Sequence, residues 1–96
     1  MKVSNFRQLK VWQLGKALAL NVYGMTRTFP KDELYGMTSQ MRRAAVSIPS
    51  NIAEGFNRVH ALEYGRYLAM ALGSCAELET QIEIASELGY LGVRAS

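Results

Sequence analysis

Ninety-six residues, 49% apolar and 20% charged, bound the chain to one small globular domain with room for a core but not a generous one. The net charge of +3 conceals a split: residues 1–58 carry nine Lys/Arg against three Asp/Glu (+6), and residues 59–96 carry two against five (−3). Uncharged runs such as Ala17–Thr26 and Tyr67–Ala76 are too short to cross a bilayer, and the first residues hold no apolar run of the signal-peptide kind.

Helix 1 is predicted over about residues 6–28. Val11, Trp12, Leu14, Gly15, Leu18, Ala19, Val22, Tyr23, Met25 and Thr26 cover about half its circumference, and Lys10, Gln13, Lys16, Gly24 and Arg27 form the polar side. Leu20 falls amid that polar side as a lone exposed leucine. Phe29-Pro30 ends the helix, because the residue before proline avoids the α region.

Helix 2 is predicted over about residues 32–57. Leu34, Met37, Met41, Ala44/Ala45, Ile48, Ile52 and Phe56 recur at steps of three and four, the spacing of one helical face. The ladder keeps its phase through Pro49, which favours one helix kinked there. A break with a fresh start at Asn51, three residues before Glu54, is the alternative. Met41, Ala45, Ile48, Ile52 and Phe56 are the expected core. Arg43, Ser47, Ser50 and Glu54 line up as an outward polar stripe facing another subunit or a polyanion. Arg58, four residues after Glu54, has the spacing of a helix ion pair.

Helix 3 is predicted over about residues 61–88, with Gly89 as its stop. Tyr64, Tyr67/Leu68, Ala71, Cys75, Leu78, Ile82 and Ala85 make one face. Leu62, Gly65, Ala69, Gly73, Ala76, Thr80 and Ile84 make a second that is small or apolar nearly throughout. Such a bifacial helix needs two partners, and its small residues allow close approach. With no strand-like alternation, the fold class is all-α: an antiparallel bundle of three long helices in a single domain, residues 1–96.

The residues offer no catalytic constellation. The single histidine, His60, falls in a loop and excludes a paired Glu-x-x-His metal site. The single cysteine, Cys75, excludes an internal disulfide and fits a reducing cytoplasm; mid-helix on an apolar face, it reads as a small hydrophobe rather than a nucleophile. Glu79, Glu83 and Glu87 form an acidic edge, a solvated face or a subunit contact. No enzyme activity, metal or cofactor is expected. Arg42, Arg43, Lys10, Lys16 and Arg27 are the candidate phosphate contacts, acting as charge rather than as base readers. Solubilising charges or intersubunit salt bridges are the alternative.

The runs Leu9–Gln13, Phe29–Glu33, TSQMRRAAVSIPSNIAEGF (Thr38–Phe56) and ALGSCAELETQIEIASELGY (Ala71–Tyr90) resemble the four-helix bundle proteins, the 23S ribosomal RNA intervening-sequence protein family, over roughly residues 6–91. The resemblance implies antiparallel helices assembled as a homopentamer in bacteria. It also extends to the accessory variability protein of diversity-generating retroelements, a basic pentamer that binds nucleic acid and a reverse transcriptase. The family continues past the position of Gly89 into a fourth long helix, and the seven residues from Tyr90 to Ser96 are too few for one. The expectation is therefore the family bundle with helix 4 absent or truncated, leaving a groove lined by Leu62, Ala69, Gly73 and Ile84.

Two functions follow as expectations. The first is a non-enzymatic, cytoplasmic, self-associating protein that binds RNA or DNA through a basic surface, as accessory to a reverse transcriptase or other nucleic-acid enzyme. The second is a structural or protein-partner module whose interface is Arg43, Ser47, Ser50, Glu54, Leu62, Ala69, Gly73 and Ile84. Neither involves a membrane.

Overall fold

The computed structural model describes residues 3–91, so the ends of the expected domain lie outside the described residues. Three α-helices carry the fold: α1 (Lys10–Thr26), α2 (Ser39–Phe56) and α3 (Ala61–Glu87). Among the described residues there is no strand. Helix α2 packs against both α1 and α3, while α1 and α3 make no comparable contact with each other. Thr26 meets Arg42 and Gly15 meets Pro49, so α1 runs antiparallel to α2. Ser47 meets Ser74 and Gly55 meets Tyr67, so α3 does the same on the other flank.

Burial explains this order. Met41, Ala44, Ala45, Ile48 and Ile52 are all buried on α2, on a stripe wide enough to serve two neighbours. Helix α1 brings a stripe of small residues to it, Gly15, Ala19, Val22 and Thr26, and α3 brings Ala71, Leu78 and Ala85 at seven-residue intervals. Small side chains on both flanks let the helices approach closely. At the far end of α2 the approach is tightest, since a Cβ on Gly55 would lie 2.7 Å from that of Tyr67. The expected core residue Phe56 is only half-buried there, meeting the edge of Tyr64 at 6.2 Å between ring centres.

Pro49 does not divide α2, which is helical through it; its ring lies buried against Gly15 of α1. Asn51 starts no new helix, since its side-chain amide donates to the Ser47 carbonyl at 2.8 Å. The predicted start of helix 1 does differ. Residues Phe6–Gln8 form a separate 3-10 turn, closed by hydrogen bonds from the Arg7 N–H to Asn5 Oδ1 and from the Asn5 N–H to Gln8 Oε1. Leu9 is extended, and regular helix starts at Lys10. At the other end α1 stops at Thr26, two residues short of the expected end.

The start of helix 2 also differs. Lys31–Glu33 is a 3-10 turn and Leu34–Thr38 a wide, π-type turn in which Gly36 leaves helical geometry (φ −116°, ψ −112°). The change of pitch shifts the phase of the ladder, so Leu34, expected inside, is 48% exposed. Helix α3 ends at Glu87, and Gly89, expected as its stop, follows the cap residue Leu88 with a φ of 81° that suits glycine. The Gly89 N–H bonds the Ser86 carbonyl and the Tyr90 N–H the Ala85 carbonyl, the paired bonds of a Schellman turn.

Met41 is fully buried at the centre of this arrangement. Met41→Ala is expected to cost about 2–5 kcal/mol in urea unfolding, the range for a large-to-small change in a packed core. Met41→Leu, which conserves volume, is expected to cost under about 1.5 kcal/mol. Equal losses from both would show that this site is not close-packed.

Candidate nucleic-acid interface at the α1–α2 corner

The turn joining α1 to α2 gathers charge. A cleft of about 350 Å³ is lined by Thr26, Arg27, Phe29, Pro30, Lys31, Leu34, Thr38 and Arg42. A neighbouring cleft of about 420 Å³ is lined by Tyr23, Leu34, Tyr35, Thr38, Ser39, Arg42 and Arg43. They share Leu34, Thr38 and Arg42, so Arg27, Lys31, Arg42 and Arg43 border two adjoining clefts. None of the four forms an ion pair among the described residues, where the Arg58–Glu54 bridge is found.

Each charge is held differently. Arg42, a candidate phosphate contact, lies against α1: its Nε donates to Thr26 Oγ1 at 2.8 Å and its guanidinium sits 4.6 Å from the centre of the Tyr23 ring. Thr26 is buried, and its hydroxyl in turn donates to the Val22 carbonyl at 2.8 Å. Arg42 is therefore half-buried and pre-oriented, with part of its donor set used inside the chain. Arg43, Arg27 and Lys31 are exposed.

Glu33 builds the turn. One carboxylate oxygen accepts the Met37 N–H at 2.9 Å and the other accepts the Tyr90 hydroxyl at 2.7 Å. A Cβ on Gly36 would lie 2.8 Å from the first oxygen, so the carboxylate reaches its position because residue 36 has no side chain. Tyr90 arrives from the end of α3 and also packs on Phe29, 5.2 Å between ring centres. These contacts leave Tyr35, between the fixed residues, 90% exposed.

The other predicted phosphate contacts do not join this cluster. Lys16 lies over Trp12, 5.5 Å from its ring centre, beside an apolar groove between α1 and α2 that includes Leu20, Tyr23, Val46 and Pro49. Lys10 is at the opposite end of α1. The predicted polar stripe also divides. Ser47 is hydrogen-bonded to Ser74 of α3 and so belongs to the α2–α3 seam rather than facing outward. Ser50 rims the apolar groove. Glu54 pairs with Arg58 at 2.9 Å, as its spacing predicted, and Arg58 also donates to the Tyr67 hydroxyl at 2.7 Å. Leu62, Ala69, Gly73 and Ile84 all lie exposed on the side of α3 away from α2, Leu62 at 70%. Sequence reasoning passed over Lys31, Tyr23 and Tyr35 as site residues. A tyrosine next to a glycine just ahead of a twin arginine was the available signal.

Other chemistry finds little footing. No group of His, Cys, Asp and Glu among the described residues could hold a metal ion. Cys75 is half-buried on α3, and His60 sits at the start of α3 without a side-chain cap bond. No helix among the described residues is long and apolar enough to cross a membrane.

The fold and the corner define a small all-α protein of three packed helices, with four cations gathered where two of the helices join. The family model described as 23S rRNA-intervening sequence protein matches residues 7–95, and the chain belongs to that family. No curated protein matches the chain.

The Glu33–Tyr90 contact makes the corner sensitive to pH. The Met37 N–H, and after it the Tyr90 hydroxyl, hold the Glu33 carboxyl below the usual carboxylate range. The hydrogen bond to Glu33, followed by burial, raises the Tyr90 phenol. A depressed carboxyl contributes stability above its unfolded pKa that is lost as pH falls through its folded one; a raised phenol contributes stability that is lost as pH rises through its folded one. Glu33→Gln is expected to lower the melting temperature at neutral pH, with the gap to the unsubstituted protein narrowing in acid. A gap unchanged across the acid range would refute this role for the carboxylate.

Proposed function

We propose that this chain is a non-enzymatic, cytoplasmic, self-associating protein that binds RNA or DNA through the α1–α2 corner, as accessory to a larger nucleic-acid enzyme such as a reverse transcriptase. One observation carries the reading. Arg27, Lys31, Arg42 and Arg43 come from three successive segments and border two adjoining clefts without ion-pair partners among the described residues. Phosphates are the ligands that such a cluster fits, and binding of this kind is electrostatic and indifferent to sequence. Membership of the 23S rRNA-intervening sequence protein family supports a setting near RNA.

Self-association is supported by what α3 leaves uncovered. Leu62 and Leu72 are 70% and 71% exposed, and Ile84, three turns further along, is exposed on the same side as the small residues Ala69 and Gly73. A second copy, in the homopentamer that the family resemblance implies, would cover such a face. The same observation favours the second reading, a protein-partner module in which Arg43 serves an intersubunit ion pair and no nucleic acid is bound.

Titrating the protein with RNA and DNA across a salt series tests the first reading. Affinity is expected to fall steeply with salt, and Arg43→Ala to reduce the slope of log K against log salt by about 0.7–0.9, the value of one phosphate contact. Absence of binding at low salt, or binding unchanged from low to moderate salt, would overturn it. Light scattering on the same samples is expected to give an oligomer; a folded monomer would overturn self-association. Arg43→Glu separates the readings: lost binding with intact assembly favours the first, lost assembly the second.

A further inference from the structure

We propose that the α1–α2 corner takes an unpaired nucleotide strand, with a base stacked on Tyr35 and its phosphates held by Arg43 and Arg27. The inference rests on the nucleic-acid reading above and specifies which form of nucleic acid it concerns. Its starting point is the 90% exposure of Tyr35, a large aromatic side chain in the middle of the chain rather than at a frayed end.

The surrounding residues hold that exposure in place. The Met37 N–H and the Tyr90 hydroxyl fix both oxygens of Glu33, and Gly36 admits the carboxylate where any side chain would exclude it. Tyr35 lies between these anchored positions and pairs with no ring or cation among the described residues. Tyr23, in the same cleft, already carries the Arg42 guanidinium on its ring. Tyr35 is thus the open stacking surface of the corner.

The other groups of the cleft match the remaining parts of a nucleotide. Arg43 supplies an exposed guanidinium for phosphate, and Ser39 a hydroxyl for sugar or phosphate oxygens. Arg27 borders the adjoining cleft across Leu34 and Thr38, so a strand that crosses from one cleft to the other meets cations at both ends. A duplex hides the faces of its bases against one another and offers this tyrosine nothing, whereas an unpaired base presents a face to any exposed ring. Charge alone would serve a duplex equally well. The aromatic component selects the single strand.

Fluorescence anisotropy with one labelled oligonucleotide sequence, prepared as single-stranded RNA, single-stranded DNA and the corresponding duplexes, tests the proposal on the full chain. Single strands are expected to bind more tightly than duplexes at equal salt. Tyr35→Ala is expected to weaken single-strand binding about tenfold, the effect of losing one stacked base, and to leave duplex binding unchanged. Tyr35→Phe, which keeps the ring, is expected to bind single strands as the unsubstituted protein does. Arg43→Ala is expected to weaken both forms alike. Circular dichroism of Tyr35→Ala is expected to match the unsubstituted protein, because the side chain it removes is solvent-exposed. Tighter binding of RNA than of DNA would identify the strand as RNA through its 2′-hydroxyls, and equal binding would identify a strand of either kind. Duplexes binding as tightly as single strands, or Tyr35→Ala binding as well as the unsubstituted protein, would overturn this inference and leave the nucleic-acid reading standing. Absence of binding by every form at low salt would overturn both.

Discussion

The two-sided burial of α2 is the constraint on which the rest depends. Its stripe from Met41 to Ile52 is too wide for one neighbour and is shared between the small-residue stripe of α1 and the Ala71–Leu78–Ala85 line of α3. Because both neighbours compete for the same helix, they lie on opposite flanks and scarcely meet. Each is left with an outer face that no other described residue covers. Leu14 and Leu20 of α1 and Leu62, Leu72 and Ile84 of α3 are exposed for this reason rather than by accident of composition. Scattered exposed leucines are ordinary on protein surfaces, whereas these fall on the outer sides of two helices that share one inner neighbour.

The same constraint decided what could be read from the sequence. The residues of α2 that pack on both flanks must repeat at helical spacing, so Met41, Ala45, Ile48 and Ile52 were legible as core before any coordinates, as was the buried line of α3. The Glu54–Arg58 pair was legible because it needs only one helix and a spacing of four. Residues 31–38 were not. Their apolar positions continue the ladder of α2, but the change of pitch there comes from Glu33 accepting hydrogen bonds from Met37 and from Tyr90, 57 positions away. Periodicity cannot report a long-range hydrogen bond. The corner was accordingly half visible: Arg27, Arg42 and Arg43 stood out as charges, whereas Lys31, Tyr23 and Tyr35 become relevant only once the turn brings them together. Arg42 shows the converse. A charge read as a phosphate contact is spent partly on Thr26 and Tyr23, which orient it.

Polar chemistry at the corner is spent on structure. The two groups with displaced acidity among the described residues, Glu33 and Tyr90, displace one another, and each is used to shape the backbone. A catalytic pair differs in having one member left free to exchange a proton with something else. Here the carboxylate is saturated from both sides, and the reactive-looking residues Cys75 and His60 lie on other elements, away from the cationic corner.

Tyr90 gives the corner a connection that α1 and α2 alone would not provide. The Schellman turn at Gly89 carries the chain back so that Tyr90 reaches Phe29 and Glu33, and the last turn of α3 is thereby fastened to the segment that displays Tyr35. Linkage makes such a connection reciprocal. A change that strengthens the Tyr90 contacts favours the ordered Leu34–Thr38 turn and the docked end of α3 together, and the coupling free energy is the same in both directions. Fraying at the end of one helix and loosening of the turn between two others are thus linked events, with the ring and hydroxyl of one tyrosine as the joint between them.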